Sequence, residues 1–311
     1  MWAYPPLLLA MSSQRTTHLL LLGMAALWGA SWPWARMVAQ NMPPLAAASL
    51  RFAIASVALL LWLRHTGKLQ YLRQLTLVQW YRLTAAASVG VVGYSLFFMW
   101  ALQRVPASQA TLVITVTPVL TLLLAAKLFK EPLNVTIGLG MVLATSGALY
   151  AITAKMEQVN TDTIGLLLLI GCALCWTGYT LMGRVVMRGI DALTTTVTTS
   201  LIGSLGLALC SLVLEDPGIY NSFASSPLPA WVSLFCLSLG ATALANAWYM
   251  RGIHELGAST AAAYLILVPL FGIALSAWWL GEQLGTRLLI GALLALSGMA
   301  VMHWGRVRQS R

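Results

Sequence analysis

The chain has 311 residues, 59% of them hydrophobic and only 8% charged, where a soluble domain carries roughly a quarter charged residues; it has too few polar side chains to cover a water-facing surface. A net charge of +10 would suit nucleic acid, but the basic residues stand in short connections between apolar runs, which favours membrane orientation and disfavours nucleic acid as a partner. The fold class this leaves is an all-α integral membrane protein in a lipid bilayer.

Residues 1–17 read as an N-terminal tail, because the apolar run from Pro5 to Met11 is too short to span and has no basic flank before it. Ten runs of about bilayer thickness follow: 18–38, 44–63, 83–103, 107–129, 134–154, 164–186, 192–214, 230–251, 258–280 and 286–305. Between the second and third, the basic and aromatic stretch from Arg64 to Arg82 suits a segment lying at the headgroup level. The polar stretch that begins at Glu215 reads as an exposed loop. With both termini inside, the inner connections hold Arg64, Lys68, Arg73, Lys127, Lys130, Arg184, Arg188 and Arg251, while the outer ones hold chiefly Arg36, Arg104, Lys155 and Arg287. That bias predicts a multi-pass protein of the cell inner membrane with cytoplasmic termini.

The runs repeat. Gly23, Trp28 and Arg36 align with Gly171, Trp176 and Arg184 at an offset of 148, and Pro118, Glu131, Gly140, Ala144 and Gly147 align with Pro269, Glu282, Gly291, Ala295 and Gly298 at 151. The organisation expected is a first five-helix repeat over 18–155, a linker at 156–163, a second repeat over 164–305 and a basic tail at 306–311. Five spans is an odd number, so the second copy enters the membrane upside down: ten transmembrane helices in two inverted five-helix repeats.

Pro118 and Pro269 interrupt apolar runs at corresponding places. A proline inside a spanning helix leaves a backbone carbonyl that lipid cannot satisfy, so the matched pair marks the expected lining of a central cavity, or else two packing kinks. Thr111 and Thr115 share a helical face with Pro118, to line the cavity or to bond back to their own helix. Trp28 and Trp32 fall on one face of the first span with Ser31 between them; Tyr94 and Phe98 mark the third, Trp176 and Tyr179 the sixth, Asn246 and Tyr249 the eighth. These are the candidate substrate-binding residues, although an aromatic stripe also serves packing. A carboxamide in hydrocarbon must bond either a neighbouring helix or a solute, which singles out Asn246. Arg51 stands about two turns into the second span, to face the bundle interior or to snorkel outward.

Metal, cofactor and enzyme readings find little. Cys172 and Cys175 form a CxxC without a second pair or nearby histidine, and all four cysteines read as small buried hydrophobes. His254–Glu255 lacks the second histidine of HExxH, and no GxSxG occurs. No acid lies near a span centre, which disfavours proton-coupled export of hydrophobic cations; Glu131 and Glu282 stand at span ends and read as helix-end acids that pair with a nearby basic group or exposed amide.

WGASWPWARM at 28–37, FFMWALQRVPASQATL at 97–112, FKEP at 129–132, YMRGIHELGASTAA at 249–262 and LGEQL at 280–284 resemble, in order and duplication, the EamA family of the drug/metabolite transporter superfamily. The resemblance implies ten spans in two inverted halves and export or exchange of small metabolites. Gly140, Ala144 and Gly147, with Gly291, Ala295 and Gly298, make small faces at helical spacing that serve packing within a monomeric chain or a weak homodimer, and no cofactor is expected. A neutral or zwitterionic solute such as an amino acid, moved by alternating access, is the expectation. A non-transporting scaffold or sensor is the alternative, and an intramembrane enzyme a more distant one.

Overall fold

The structure, a computed structural model, describes residues 6–129, 134–153, 162–186, 189–256, 261 and 264–309. Every regular element among them is helical. The long helices are α1 (Pro6–Asn41), α2 (Pro44–His65), α3 (Leu77–Arg104), α4 (Val113–Phe129), α5 (Val135–Thr153), α6 (Thr163–Val186) and α7 (Ala192–Leu214). They are followed by α8 (Leu228–Phe235, Cys236–Leu244 and Ala245–Leu256 in succession), α9 (Leu267–Leu280) and α10 (Thr286–Gln309). Six stretches among the described residues, lying in α2, α3, α6, α7, α8 and α10, are long and apolar enough to cross a bilayer; shorter apolar stretches lie in α4, α5 and α9.

Of the boundaries that differ from the sequence reading, three bear on how the helices are placed. Helix α1 starts at Pro6, well before residue 18. Helix α3 starts at Leu77 rather than 83, because Thr76 and Gln79 form a reciprocal capping box that satisfies the first backbone N–H groups. Where the sequence places a break at Pro118, α4 runs straight through it; the break lies upstream, at Thr111–Leu112, between the short turn Ala107–Ala110 and α4. Pro269 falls at the third position of α9, where its missing N–H costs little, after a 3-10 turn at Tyr264–Ile266.

Two helices contain wide π turns, α3 at Ser88–Gly93 and α8 at Cys236–Leu244. Such turns release a carbonyl from the helical ladder and recur at functional sites.

Helices pair through small residues, as lipid-embedded helices do. On α5 and α10 a side chain at Gly140 would strike Gly298 and Met302, one at Gly147 would strike Gly291 and Ala295, and the reverse holds for Gly298 and Gly291. Rising numbers on one helix meet falling numbers on the other, so α5 and α10 are antiparallel. Helices α2 and α7 are antiparallel too. The Ser49 hydroxyl donates to the Ser204 carbonyl at 2.9 Å, and the Ser204 hydroxyl donates to the Ser49 carbonyl at 3.0 Å. The Glu215 carboxylate, at the end of α7, accepts from the Leu45 and Ala46 N–H groups at the start of α2. One further pair of contacts matches: Gly23 of α1 faces the Trp248 ring of α8, and Gly171 of α6 faces the Phe97 ring of α3. Offsets of 148 and 151 convert the first contact into the second. Large apolar side chains such as Leu167 and Ile170 on α6 or Leu212 and Val213 on α7 point outward, as a lipid-facing surface requires.

Candidate functional site

The wide turn of α8 organises the site. There the Ala245 N–H bonds the Gly240 carbonyl, five residues back, so the Ala241 carbonyl is left without its usual partner. The Trp28 indole N–H of α1 donates to it at 2.9 Å. The ring of Trp28 lies against Tyr249 with centroids 5.3 Å apart. Ser31 donates to the Trp28 carbonyl, its own helix, at 2.6 Å.

From α1 an aromatic ladder crosses to α6. Trp32 meets Phe98 edge-on at 5.1 Å, Phe98 stacks on Tyr94 at 5.3 Å, Tyr94 meets Trp176 at 5.5 Å and Trp176 meets Tyr179 at 6.0 Å. Such spacings are those of favourable ring pairs. Trp32 and Phe98 are buried, Tyr94 and Tyr179 half-buried, and Trp176 exposed. The Tyr179 ring presses on Gly90, in the wide turn of α3, where a Cβ would come within 2.1 Å of the ring. The Cys172 thiol lies beside the Tyr94 phenol. The structure therefore gathers into one ladder residues that the sequence placed on three separate spans, with Trp28 and Tyr249 as a second pair beside the α8 turn.

Other candidates sit differently. Asn246 donates its amide to the Thr242 carbonyl of its own helix at 2.5 Å. Thr111 is fully buried, its hydroxyl without a hydrogen-bond partner among the described residues and pressed against Gly272 of α9. Pro269 is buried in α9. The side chains of Thr115 and Pro118 lie outside the described residues.

Sequence reasoning missed two features, the Thr121–Thr177 approach and the wide turns. Thr121 of α4 and Thr177 of α6 bring their hydroxyls to 3.4 Å. By the repeat offsets the matching place is the approach of Gly29 on α1 to Gly272 on α9, where two backbones meet. The Glu282 carboxylate accepts from the Ala107 and Ser108 N–H groups at 2.8 and 2.9 Å, with the Arg36 guanidinium 3.5 Å away, so one acid ties the ends of α1 and α9 to the turn before α4. The wide turns themselves carry no compositional mark. A recess of about 300 Å³ lined by Trp100, Gln103, Arg104, Ile164 and Leu168 lies where α3 ends and α6 begins, apart from the ladder. It borders the Arg104–Asp162 ion pair, and Leu168 packs against the core cluster that contains Trp32 and Phe98. No group of three or more potential metal ligands occurs among the described residues.

Comparison with known proteins adds the family. The model of the EamA-like transporter family matches twice, over residues 15–153 and 163–304. The uncharacterised transporter YyaM of Bacillus subtilis is 27% identical over 91% of this chain and 92% of its own length. A probable amino-acid metabolite efflux pump of Salmonella typhimurium is 27% identical over 95% of this chain and 98% of its own. A probable terminal-alkyne amino-acid exporter of Streptantibioticus cattleyicolor is 24% identical over 89% of each. One crystal structure, 21% identical, superposes with a TM-score of 0.68 over 96% of this chain and 99% of that one, a likeness of fold alone.

Proposed function

Because the chain belongs to the EamA-like transporter family, we propose that this membrane transporter exports small amino-acid-like metabolites by alternating access. Ten spans form two inverted five-helix repeats, both termini are cytoplasmic, and the solute is held near the midplane between the halves. The antiparallel seat of α5 on α10, glycine against glycine, carries this reading: the two helices match at an offset of 151, so copies that run in opposite directions fit opposed orientations in the bilayer. The aromatic ladder and the Trp28–Tyr249 pair supply an amphipathic wall for a solute with an apolar side chain. Two full-length relatives named for amino-acid metabolite and alkyne amino-acid export support the solute class. The site consists of Trp28, Ser31, Trp32, Tyr94, Phe98, Trp176, Tyr179 and Tyr249, with Thr111, Thr115, Pro118, Asn246 and Pro269 where the helices break.

Purified protein in liposomes tests this by counterflow of labelled amino acids. Flux of unaltered solute is expected; a chemically altered product or no flux with any solute would overturn it. Thermal-shift screening identifies the solute, since a ligand stabilises the folded state by mass action. Thr115→Val together with Asn246→Leu is expected to diminish that shift, and an intact shift removes both residues from the wall.

A further inference from the structure

Arg51 breaks the repeat. It stands on α2, about two turns in from Pro44, and donates through Nε to the Thr242 hydroxyl in the wide turn of α8 at 3.1 Å. That hydroxyl in turn donates to the Leu237 carbonyl, which fixes its lone pairs toward the arginine. One face of the guanidinium is covered by the Phe52 ring, 5.0 Å away. The group lies near enough to the Tyr94 phenol for the two to interact electrostatically.

The two terminal nitrogens of Arg51 make no hydrogen bond to any described residue, and no described carboxylate pairs with it. The residue is only half-buried, so that end is open. A charged side chain at this depth is costly unless something answers the charge. Packing does not require it. At the repeat offsets of 148 and 151 Arg51 corresponds to Thr199 or Ile202 of α7, neither of them charged, and Thr199 returns its hydroxyl to the Thr195 carbonyl of its own helix. The second copy thus makes the same crossing with no charge.

Building on the transport reading above, we infer that Arg51 is the carboxylate anchor of the solute site. Its Nε is pinned to Thr242, its planar fork offers two parallel N–H donors to a carboxylate, and Tyr94 leads from it into the aromatic ladder. The solute class is then a zwitterionic amino acid or other monocarboxylate with an apolar side chain, and an uncharged or purely cationic solute is excluded.

Four probes with the same ring separate the possibilities: L-phenylalanine, 3-phenylpropionate, L-phenylalaninamide and 2-phenylethylamine, each measured for thermal stabilisation and for counterflow in liposomes. The two carboxylates are expected to bind the wild-type chain about 10- to 100-fold more tightly than the amide and the amine, the range of a charge-assisted hydrogen-bonded pair. Arg51→Gln is expected to erase that preference and Arg51→Lys to keep part of it. Thr242→Val, which retains the charge and loses its aim, is expected to weaken the carboxylates alone. The wild-type comparison needs no variant to fold. If the amide or amine is carried as well as the acids, the anchor is overturned while the transport reading stands; if no solute moves at all, both fall.

Discussion

Glu282 and Glu215 do the same work at different crossings: each carboxylate takes two backbone N–H groups at the start of a neighbouring helix. Glu282→Gln is expected to lower stability by about 1.5–3 kcal/mol, the worth of hydrogen bonds to a charged group, read as a fall in unfolding temperature in detergent. Arg36→Ala should cost less, because its 3.5 Å contact is a looser one. Asp162, outside the spans, is a pH-dependent tie. The Arg104 guanidinium at 2.8 Å, then the Gly165 N–H, hold its carboxyl below the usual carboxylate value of 3.8. A depressed pKa contributes stability that is complete above the unfolded value and lost as pH falls through the folded one. Unfolding temperature measured below about pH 4 should therefore decline less steeply in Asp162→Asn than in the wild type. At this scale the sequence was only partly legible. Glu282 was readable as a helix-end acid from its place after an apolar run. Glu215 looked like one more polar residue beside Asp216, yet it is buried and its carboxylate takes N–H groups from the start of α2, 170 residues away.

The α5–α10 pair shows what an element-scale pattern can carry. Glycines at helical spacing were visible in the sequence, with an intrachain or an intermolecular partner both open; the structure closes the face within the chain. A Cβ at Gly147 would come within 2.4 Å of the Ala295 backbone nitrogen, and one at Gly298 within 2.2 Å of that of Ala144. Backbone cannot give way as a side chain can, so Gly147→Val and Gly298→Val should each destabilise by about 1–3 kcal/mol through overpacking. Gly138, on the same helix with nothing nearby, is the control: Gly138→Ala should gain up to about 1 kcal/mol from helix propensity. The wide turns of α3 and α8 were illegible for a physical reason. An i→i+5 bond alters which carbonyl is left over without demanding any particular residue, so Trp28 and Arg51 reveal their partners at Ala241 and Thr242 only once α8 is built. The prolines drew attention to the right stretches, yet the helix break beside Pro118 falls several residues earlier, because a spanning helix absorbs a proline when neighbours re-satisfy its carbonyl.

For the whole molecule, the duplicated spacing made the repeat readable, and matched contacts such as Gly23–Trp248 and Gly171–Phe97 follow the same offsets in space. Which crossings differ between the copies was not readable, since Thr121–Thr177 against Gly29–Gly272 depends on contacts made across the halves. If one half moves against the other during transport, Thr121→Cys with Thr177→Cys, in a chain lacking the four native cysteines, should abolish counterflow on oxidation and regain it on reduction. Unchanged counterflow in the oxidised protein would discard the rocking mechanism. The mutual burial of the glycine faces reaches further. The glycine faces of α5 and α10 are each covered by the helix of the other half, and α2 and α7 bond to each other across the halves. Two genes, each encoding five of the helices, should accordingly yield a stable heterodimer when co-expressed, whereas either product made alone should be degraded or pair with itself.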